Sequence, residues 1–151
     1  IEFSALPLSS KAAPYSPHRE ASVDGDNIGV TITDQASGRK LFYAPGLGAR
    51  TPEVFARMLD ADCVMVDGTF WTDEEMIAAG LSTKTARDIG HLPQSGPGGM
   101  MDWLGELPAR VRKILIYINI SIPILDEVSP ERAELTRRGI EVAEDGWRID
   151  L

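Results

Sequence analysis

A carboxylate and a histidine in the middle of the chain have surroundings that suit a reactive site. Asp67 follows the apolar run Cys63–Val66, which is bounded by turn residues and therefore predicts a buried strand. His91 stands in Gly90–Gly99, where four glycines and two prolines exclude a long regular element. A carboxylate at a strand end can orient a histidine or ligate a metal ion. The pair predicts acid–base or metal chemistry; the alternative is that Asp67 caps a turn and His91 binds loop backbone.

Two loops contribute further candidates. His18 lies in the irregular segment 9–27, which is longer than an ordinary connection, and it could either contact a substrate or bind loop backbone. Ser95 and Gly96 share the glycine-rich loop with His91, and its backbone N–H groups could face an anion. That loop lacks the lysine and the spacing of a P-loop. Because the chain has two histidines and no HxH, HxxxH or CxxC spacing, a histidine-rich metal site is not expected from this chain alone.

Charge and composition limit the partners. The formal net charge of −8 and the pI of about 4.7 argue against nucleic acid, since binding to phosphates needs a basic face. No apolar run reaches the length of a membrane span, and no signal peptide is visible, so no membrane partner is expected. The single cysteine, Cys63, excludes an internal disulfide and is predicted to be a small buried apolar residue. A chain without an internal disulfide fits a reducing compartment such as the cytoplasm.

The elements that would position these residues follow from apolar periodicity and capping residues. Strands are predicted over 1–8, 28–33, 40–44, 63–67, 113–119 and, on either side of an Asp-Gly turn, within 140–151. Helices are predicted over 52–61, from a Thr72–Glu75 capping box to Gly80, over 100–107, and over 130–138. This order predicts an α/β (α+β) fold, a mixed sheet with helices on one face. The other face would need another layer.

Several long motifs together resemble the coenzyme PQQ (pyrroloquinoline quinone) synthesis protein B family. They are Tyr15–Arg19, Gly25–Gly29, Leu41–Gly48, Asp67–Trp71, Gly90–Gly96, Pro123–Glu127 and Ser129–Arg132. The motifs extend essentially from end to end of the chain. The resemblance implies a metallo-β-lactamase-like αββα sandwich, of which residues 1–151 would form a single domain, the C-terminal half. The first residue is not Met, which also favours part of a longer chain whose N-terminal half carries the metal-binding Asp-His loop.

The resemblance also implies a function. The family acts in making PQQ from a cross-linked Glu-Tyr precursor and is similar to an iron- and oxygen-dependent hydroxylase of the tyrosine ring. An older alternative is a carrier that transports PQQ or its precursor. By this resemblance Asp67 and His91 would be catalytic. Four further residues would contact substrate: His18, Ser95, Gly96 and Asn119. Iron is the implied cofactor of the intact family, and none is expected to bind tightly to this chain.

The sequence departs from the family at the implied metal site. Tyr117 stands where the family has a histidine ligand, and Ile120 and Ile122 replace asparagines. A phenol is a poor substitute for imidazole with divalent metals. Gly46 stands where related hydrolases place a bridging aspartate, which argues against a two-metal hydrolase. Three hypotheses follow: a half-enzyme inactive on its own, a non-catalytic binding module for PQQ or its precursor, and a half-protein that needs the missing N-terminal half or forms a homodimer.

Overall fold

Six strands form where β-branched and apolar runs lie between turn residues. They are β1 (Glu2–Pro7), β2 (Ile28–Thr33), β3 (Lys40–Ala44), β4 (Cys63–Asp67), β5 (Arg112–Ile116) and β6 (Ile140–Val142). The computed structural model describes residues 1–150, and in it these strands pair in chain order to form one sheet. The pairs β1–β2 and β2–β3 are antiparallel, whereas β3 to β6 run parallel. The sheet is therefore mixed, as predicted.

The helices lie in the crossovers that parallel strands require. They are α1 (Pro52–Asp60), α2 (Glu75–Ala78), α3 (Met100–Gly105) and α4 (Pro130–Arg137), with short 3-10 turns at Arg87–Ile89 and Pro123–Leu125. The Thr51 hydroxyl accepts a hydrogen bond from the Val54 amide and caps α1, and the Ser129 hydroxyl caps α4 through the Arg132 amide. Within residues 1–150, none of the helices has the length and apolar character needed to cross a membrane.

The main core lies between one face of the sheet and the helices. The parallel register places Phe42 beside Val64 and Ala44 beside Val66, and all four side chains are fully buried. They share one apolar cluster with residues of α1, α3 and α4, such as Met58, Trp103 and Leu135. The helices thus cover one sheet face, which confirms the predicted arrangement.

The opposite face of the sheet carries a much smaller cluster. Cys63, Ile114 and Ile116 are buried there, and the C-terminal segment contributes Ala143 and Ile149 to their cover. Cys63 is fully buried, which confirms its predicted role as a small apolar residue. Toward β1 the same face opens to solvent, and Phe3 is 68% exposed. No helix of residues 1–150 belongs to the cluster on this face.

The structure corrects the predicted end of β5. The strand stops at Ile116 rather than at residue 119, because Tyr117 adopts a positive φ of 58° and turns the chain away from the sheet. Two isoleucines that follow lie in different environments. Ile122 is buried in the main core, whereas Ile120 is 92% exposed.

Two further elements are shorter than predicted. The Thr72–Glu75 capping box does not form: α2 begins at Glu75, whose carboxylate accepts a hydrogen bond from the Trp71 amide at 2.7 Å. Gly80, with a φ of +68°, ends this helix as expected. After β6 the chain makes the predicted turn at 145–146, but residues 147–150 form no second strand. Leu151 lies outside the described residues.

Candidate functional site

Asp67 lies at the carboxyl end of β4 and is fully buried. Its Oδ2 accepts a hydrogen bond from the Leu47 amide at 3.0 Å, and its Oδ1 accepts from the amide and hydroxyl of Thr69 at 3.0 and 2.5 Å. The turn that follows needs a glycine, because a Cβ on Gly68 would lie 2.9 Å from the Ile116 carbonyl oxygen. The carboxylate is therefore held in place by the loop after β3 and by the turn after β4.

The structure brings His91 directly onto this carboxylate. Its Nδ1 lies 2.7 Å from Oδ2 of Asp67 and 3.1 Å from the Thr69 hydroxyl. A carboxylate only accepts hydrogen bonds, so Nδ1 carries the proton and donates to Asp67. Nε2 makes no hydrogen bond with any residue of 1–150 and remains available to a ligand. The imidazole packs edge-on to Phe70 and stacks on Tyr117 at 6.0 Å between ring centroids.

Two residues missed by the sequence reasoning complete this pair. Thr69 joins Asp67 to His91 through its hydroxyl, as the distances above show. Gln94 is fully buried, and its side-chain amide donates to the Asp67 carbonyl at 2.7 Å. Its Oε1 has no hydrogen-bond partner among residues 1–150. The motifs Asp67–Trp71 and Gly90–Gly96 contain both residues, but only their contacts reveal their role.

The long loop 9–27 docks against the residues before His91. The Ser10 hydroxyl donates to the Gly90 carbonyl at 2.5 Å, and Arg19 Nη2 donates to the Ile89 carbonyl at 3.2 Å. Gly90 has a φ of +97°, and a Cβ there would lie 2.7 Å from the Lys11 amide nitrogen. Glycine at position 90 therefore permits the close approach that places this loop beside the imidazole.

Two clefts meet at His91 and Tyr117. One, of about 430 Å³, lies under the long loop, and its lining includes Lys11, Tyr15, Arg19 and Asn27. The other, of about 340 Å³, is lined by Thr69, Phe70, Ile89, His91, Tyr117, Ile118 and Asn119. A larger cavity of about 580 Å³ lies on the other side of the loop and contains neither Asp67 nor His91. We place the site at the two smaller clefts because His91 lines both of them.

The other predicted residues are only partly near this site. Asn119 lines the smaller cleft, where its amide donates to the Ser121 hydroxyl at 2.8 Å. His18 lines neither cleft; its Nδ1 lies 3.5 Å from Asp26 Oδ1, and its side chain is half exposed. Of these two predicted substrate contacts, only Asn119 lies close to the imidazole.

Ser95 and Gly96 lie outside both clefts. The amide and hydroxyl of Ser95 both donate to the Trp71 carbonyl, at 2.8 and 2.7 Å. Gly96 sits at a φ of +84° in the following turn, and the Gly98 amide donates to the Asp102 carboxylate at 3.2 Å. The loop thus uses these donors for its own structure rather than presenting them to an anion.

Tyr117 occupies an unusual backbone conformation beside His91. It is the one non-glycine residue with a positive φ among residues 1–150, and its side chain is largely exposed. Such strain is common at functional sites. Residues 1–150 contain no group of three or more His, Cys, Asp or Glu side chains placed to hold a metal ion. The site is therefore an Asp–His pair opening onto aromatic clefts.

Comparison with known proteins extends this geometry. A family model described as the beta-lactamase superfamily domain matches residues 1–118. Coenzyme PQQ synthesis protein B of Azoarcus sp. (strain BH72) is 64% identical over the whole chain, and that of Pseudomonas fluorescens (strain SBW25) is 55% identical. The chain covers 50% of each. It thus spans about half the length of the curated relatives it matches, and the resemblance inferred from the motifs is confirmed over that half.

A solved structure supports the same fold. Zn(2+)-bound PqqB from Methylobacterium extorquens superposes with a TM-score of 0.88 at 31% sequence identity. The match covers 99% of this chain and 50% of that one. The α/β architecture predicted from the sequence is therefore confirmed, and a metal ion is present in a related protein.

Proposed function

Because this chain belongs to the beta-lactamase superfamily, we propose that it is the C-terminal half of a protein that acts in PQQ biosynthesis. The observation that carries the proposal is the contact of the fully buried Asp67 with His91, whose imidazole lines two clefts, in a chain 64% identical to a PQQ synthesis protein B. In the assembled protein the proposed reaction is hydroxylation of the tyrosine ring of a cross-linked Glu-Tyr precursor, in which dioxygen supplies the oxygen atom and an external reductant supplies two electrons.

The geometry defines what the chain's own residues would do. Asp67 fixes the tautomer and orientation of His91 because it accepts the Nδ1 proton. Nε2 of His91 would then accept or return a proton at the phenolic hydroxyl of a bound precursor. Gln94 acts as a positioning residue because it binds Asp67 and lines neither cleft. Thr69 also binds Asp67 and His91, and in addition it lines the smaller cleft. Asn119 would contact the substrate from the smaller cleft.

A metal ion does not fit the residues of this chain alone. Among residues 1–150 no three metal-ligating side chains converge, and Tyr117 stands at the implied histidine position. An open metal site needs about three protein ligands. The iron implied by the resemblance would therefore require ligands from the other half of the protein, and we derive no step through it.

A second candidate function is a carrier or binding protein for PQQ or its precursor. Tyr117 favours this function, because an exposed phenol stands where the resemblance implies a histidine ligand of the metal. The aromatic side chains that line the cleft would still be able to hold a ligand. Such a protein would hold the ligand without changing it.

Reconstitution tests both candidates. The chain is co-expressed with the N-terminal half of the Azoarcus relative. The complex is given iron(II), dioxygen, a reductant and the Glu-Tyr precursor, and products are followed by mass spectrometry. Hydroxylated product that disappears in His91→Gln and persists in the matched control His18→Gln supports the enzyme. Precursor binding without product supports the carrier. Absence of both binding and product contradicts the proposed function.

A further inference from the structure

The cleft under the long loop has a charge opposite to that of the protein. The chain has a formal net charge of −8. Nevertheless, two cationic side chains line this cleft, those of Lys11 and Arg19. No aspartate or glutamate of residues 1–150 is among its lining residues. Asp67 lies behind His91 and is fully buried, so it does not form part of the cleft wall. An electropositive cleft on an acidic protein favours a negatively charged ligand.

Both cations keep hydrogen-bonding capacity for such a ligand. Arg19 donates to the carbonyl oxygens of Ala12 and Ile89, which fixes its guanidinium in the cleft wall. A guanidinium has five N–H donors, so three remain. Lys11 Nζ lies 3.7 Å from Glu20 Oε2, and Glu20 is a largely exposed residue outside the cleft. Because an exposed pair of this length is weak, the Lys11 ammonium can turn toward a ligand.

The same cleft presents aromatic rings. Tyr15 is 92% exposed, and Tyr117 is 66% exposed while it stacks on His91. Exposed rings at the mouth of a cleft offer faces on which a planar group can stack. The cleft volume of about 430 Å³ lies within the usual range for small-molecule sites.

We propose that this cleft binds the carboxylate of a planar aromatic ligand. Lys11 and Arg19 meet the carboxylate, and Tyr15 and Tyr117 flank the ring, which brings the ring toward Nε2 of His91. The inference deepens the proposed function and rests on it in one respect: a Glu-Tyr precursor carries both a phenol ring and carboxylates. It assigns Lys11, Tyr15 and Arg19 to a ligand site.

A matched pair of probes tests the charge requirement. The folded chain is titrated with 4-hydroxyphenylacetate and with its neutral analogue 4-hydroxyphenylacetamide, and binding is followed by protein NMR shifts. We expect the acid to bind more tightly than the amide and to shift resonances of residues 11–19 and His91. Added salt should weaken the binding of the acid, because ions screen exposed charges.

A substitution then assigns the preference to this cleft. Lys11→Gln should weaken binding of the acid about three- to tenfold, the effect of losing one charged hydrogen bond at a partly exposed site. Lys84→Gln removes the same charge from an exposed position outside the cleft and should leave the affinity unchanged. Equal affinity for the two probes, no binding of either at millimolar concentration, or equal effects of the two variants would overturn the proposal.

The binding experiment and the reconstitution separate the two claims. A carboxylate preference at Lys11 in a chain that yields no hydroxylated or bound precursor would support the cleft and contradict the proposed function. Hydroxylation without any carboxylate preference would overturn the cleft assignment and leave the proposed function standing.

Discussion

Nδ1 of His91 lies 2.7 Å from Oδ2 of Asp67, and Asp67 has no exposed surface. The same carboxylate accepts hydrogen bonds from Leu47 and Thr69, so one buried group links β4, the loop after β3 and the turn after β4. The carboxylate that orients the imidazole thus also holds together the chain segments at the carboxyl end of β4. Stability and site geometry are coupled here.

Replacement of Asp67 by asparagine should therefore lower the stability of the folded protein. An amide nitrogen donates where the carboxylate accepts, so a buried N–H of Leu47 or Thr69 loses its partner. We expect a loss of about 2–4 kcal/mol in the free energy of unfolding. Urea denaturation followed by circular dichroism measures it. The control is Asp60→Asn, which removes an exposed ion pair with Lys40 and should cost less than about 1 kcal/mol. Similar losses in the two variants would contradict this explanation.

Gly90 and Gly25 provide a matched test of how the long loop docks. Both have a φ of +97°, but a Cβ on Gly25 meets nothing within 4 Å, whereas one on Gly90 would lie 2.7 Å from the Lys11 amide nitrogen. Gly25→Ala should cost about 1–2 kcal/mol through the backbone conformation alone. Gly90→Ala should cost more and should free the loop for proteolysis. Equal stability and equal protease resistance of the two variants would show that the loop does not depend on this contact.

Cys63 should be unreactive in the folded protein. Burial raises the pKa of its thiol to about 11 from the ordinary value of 9.0, so the protonated form is favoured by folding. Because the folded-state pKa is the higher one, this contribution to stability is fully present below pH 9 and is lost as the pH rises toward 11. The stability of the wild type relative to Cys63→Ala should fall across that interval. An ordinary exposed thiol is already partly ionised at about pH 8 and reacts with iodoacetamide. Rapid alkylation of the folded protein at that pH, in the absence of denaturant, would contradict the buried placement of Cys63.

The chain by itself should not retain a catalytic metal ion. It supplies two histidines, and Nδ1 of His91 is occupied by Asp67. We expect substoichiometric iron and zinc in dialysed protein, measured by plasma mass spectrometry. Tyr117→His adds one ligand and should neither retain metal nor restore hydroxylation, because about three protein ligands are needed. Stoichiometric metal in the wild type, or activity of the single variant without a partner half, would refute the half-protein interpretation.

The sheet face opposite the helices should mediate association. Its open part includes Phe3 and Tyr43, which are exposed, and Met65, which is half-buried. Exposed apolar surface of this kind favours a partner or a second copy of the chain. We expect concentration-dependent sedimentation at micromolar concentration, reduced in Phe3→Ser. The control Tyr15→Ser removes an exposed ring from the long loop and should not change association. A stable monomer at every concentration would contradict this expectation.

Local signals in the sequence determined most of the element boundaries. The strands 28–33 and 40–44 match the predicted ranges, because β-branched runs between turn residues have few alternative conformations. The helices α1 and α4 begin where Thr51 and Ser129 satisfy their free amides. The sequence also suggested that Asp67 could orient His91, with capping of a turn as the alternative, and in the structure Asp67 does both. Their catalytic role remains a prediction.

Only the tertiary structure decided where β5 ends and what surrounds His91. The apolar pattern continues through Tyr117, but Ile116 pairs with the last residue of β4, and the Gly68 amide then bonds to the Ile116 carbonyl. Tyr117 consequently has no ladder partner, and the strand stops. Likewise, Lys11 and Arg19 reach the cleft because their loop docks at Gly90, far away along the chain. Such contacts depend on long-range packing, which residue type and local spacing do not encode.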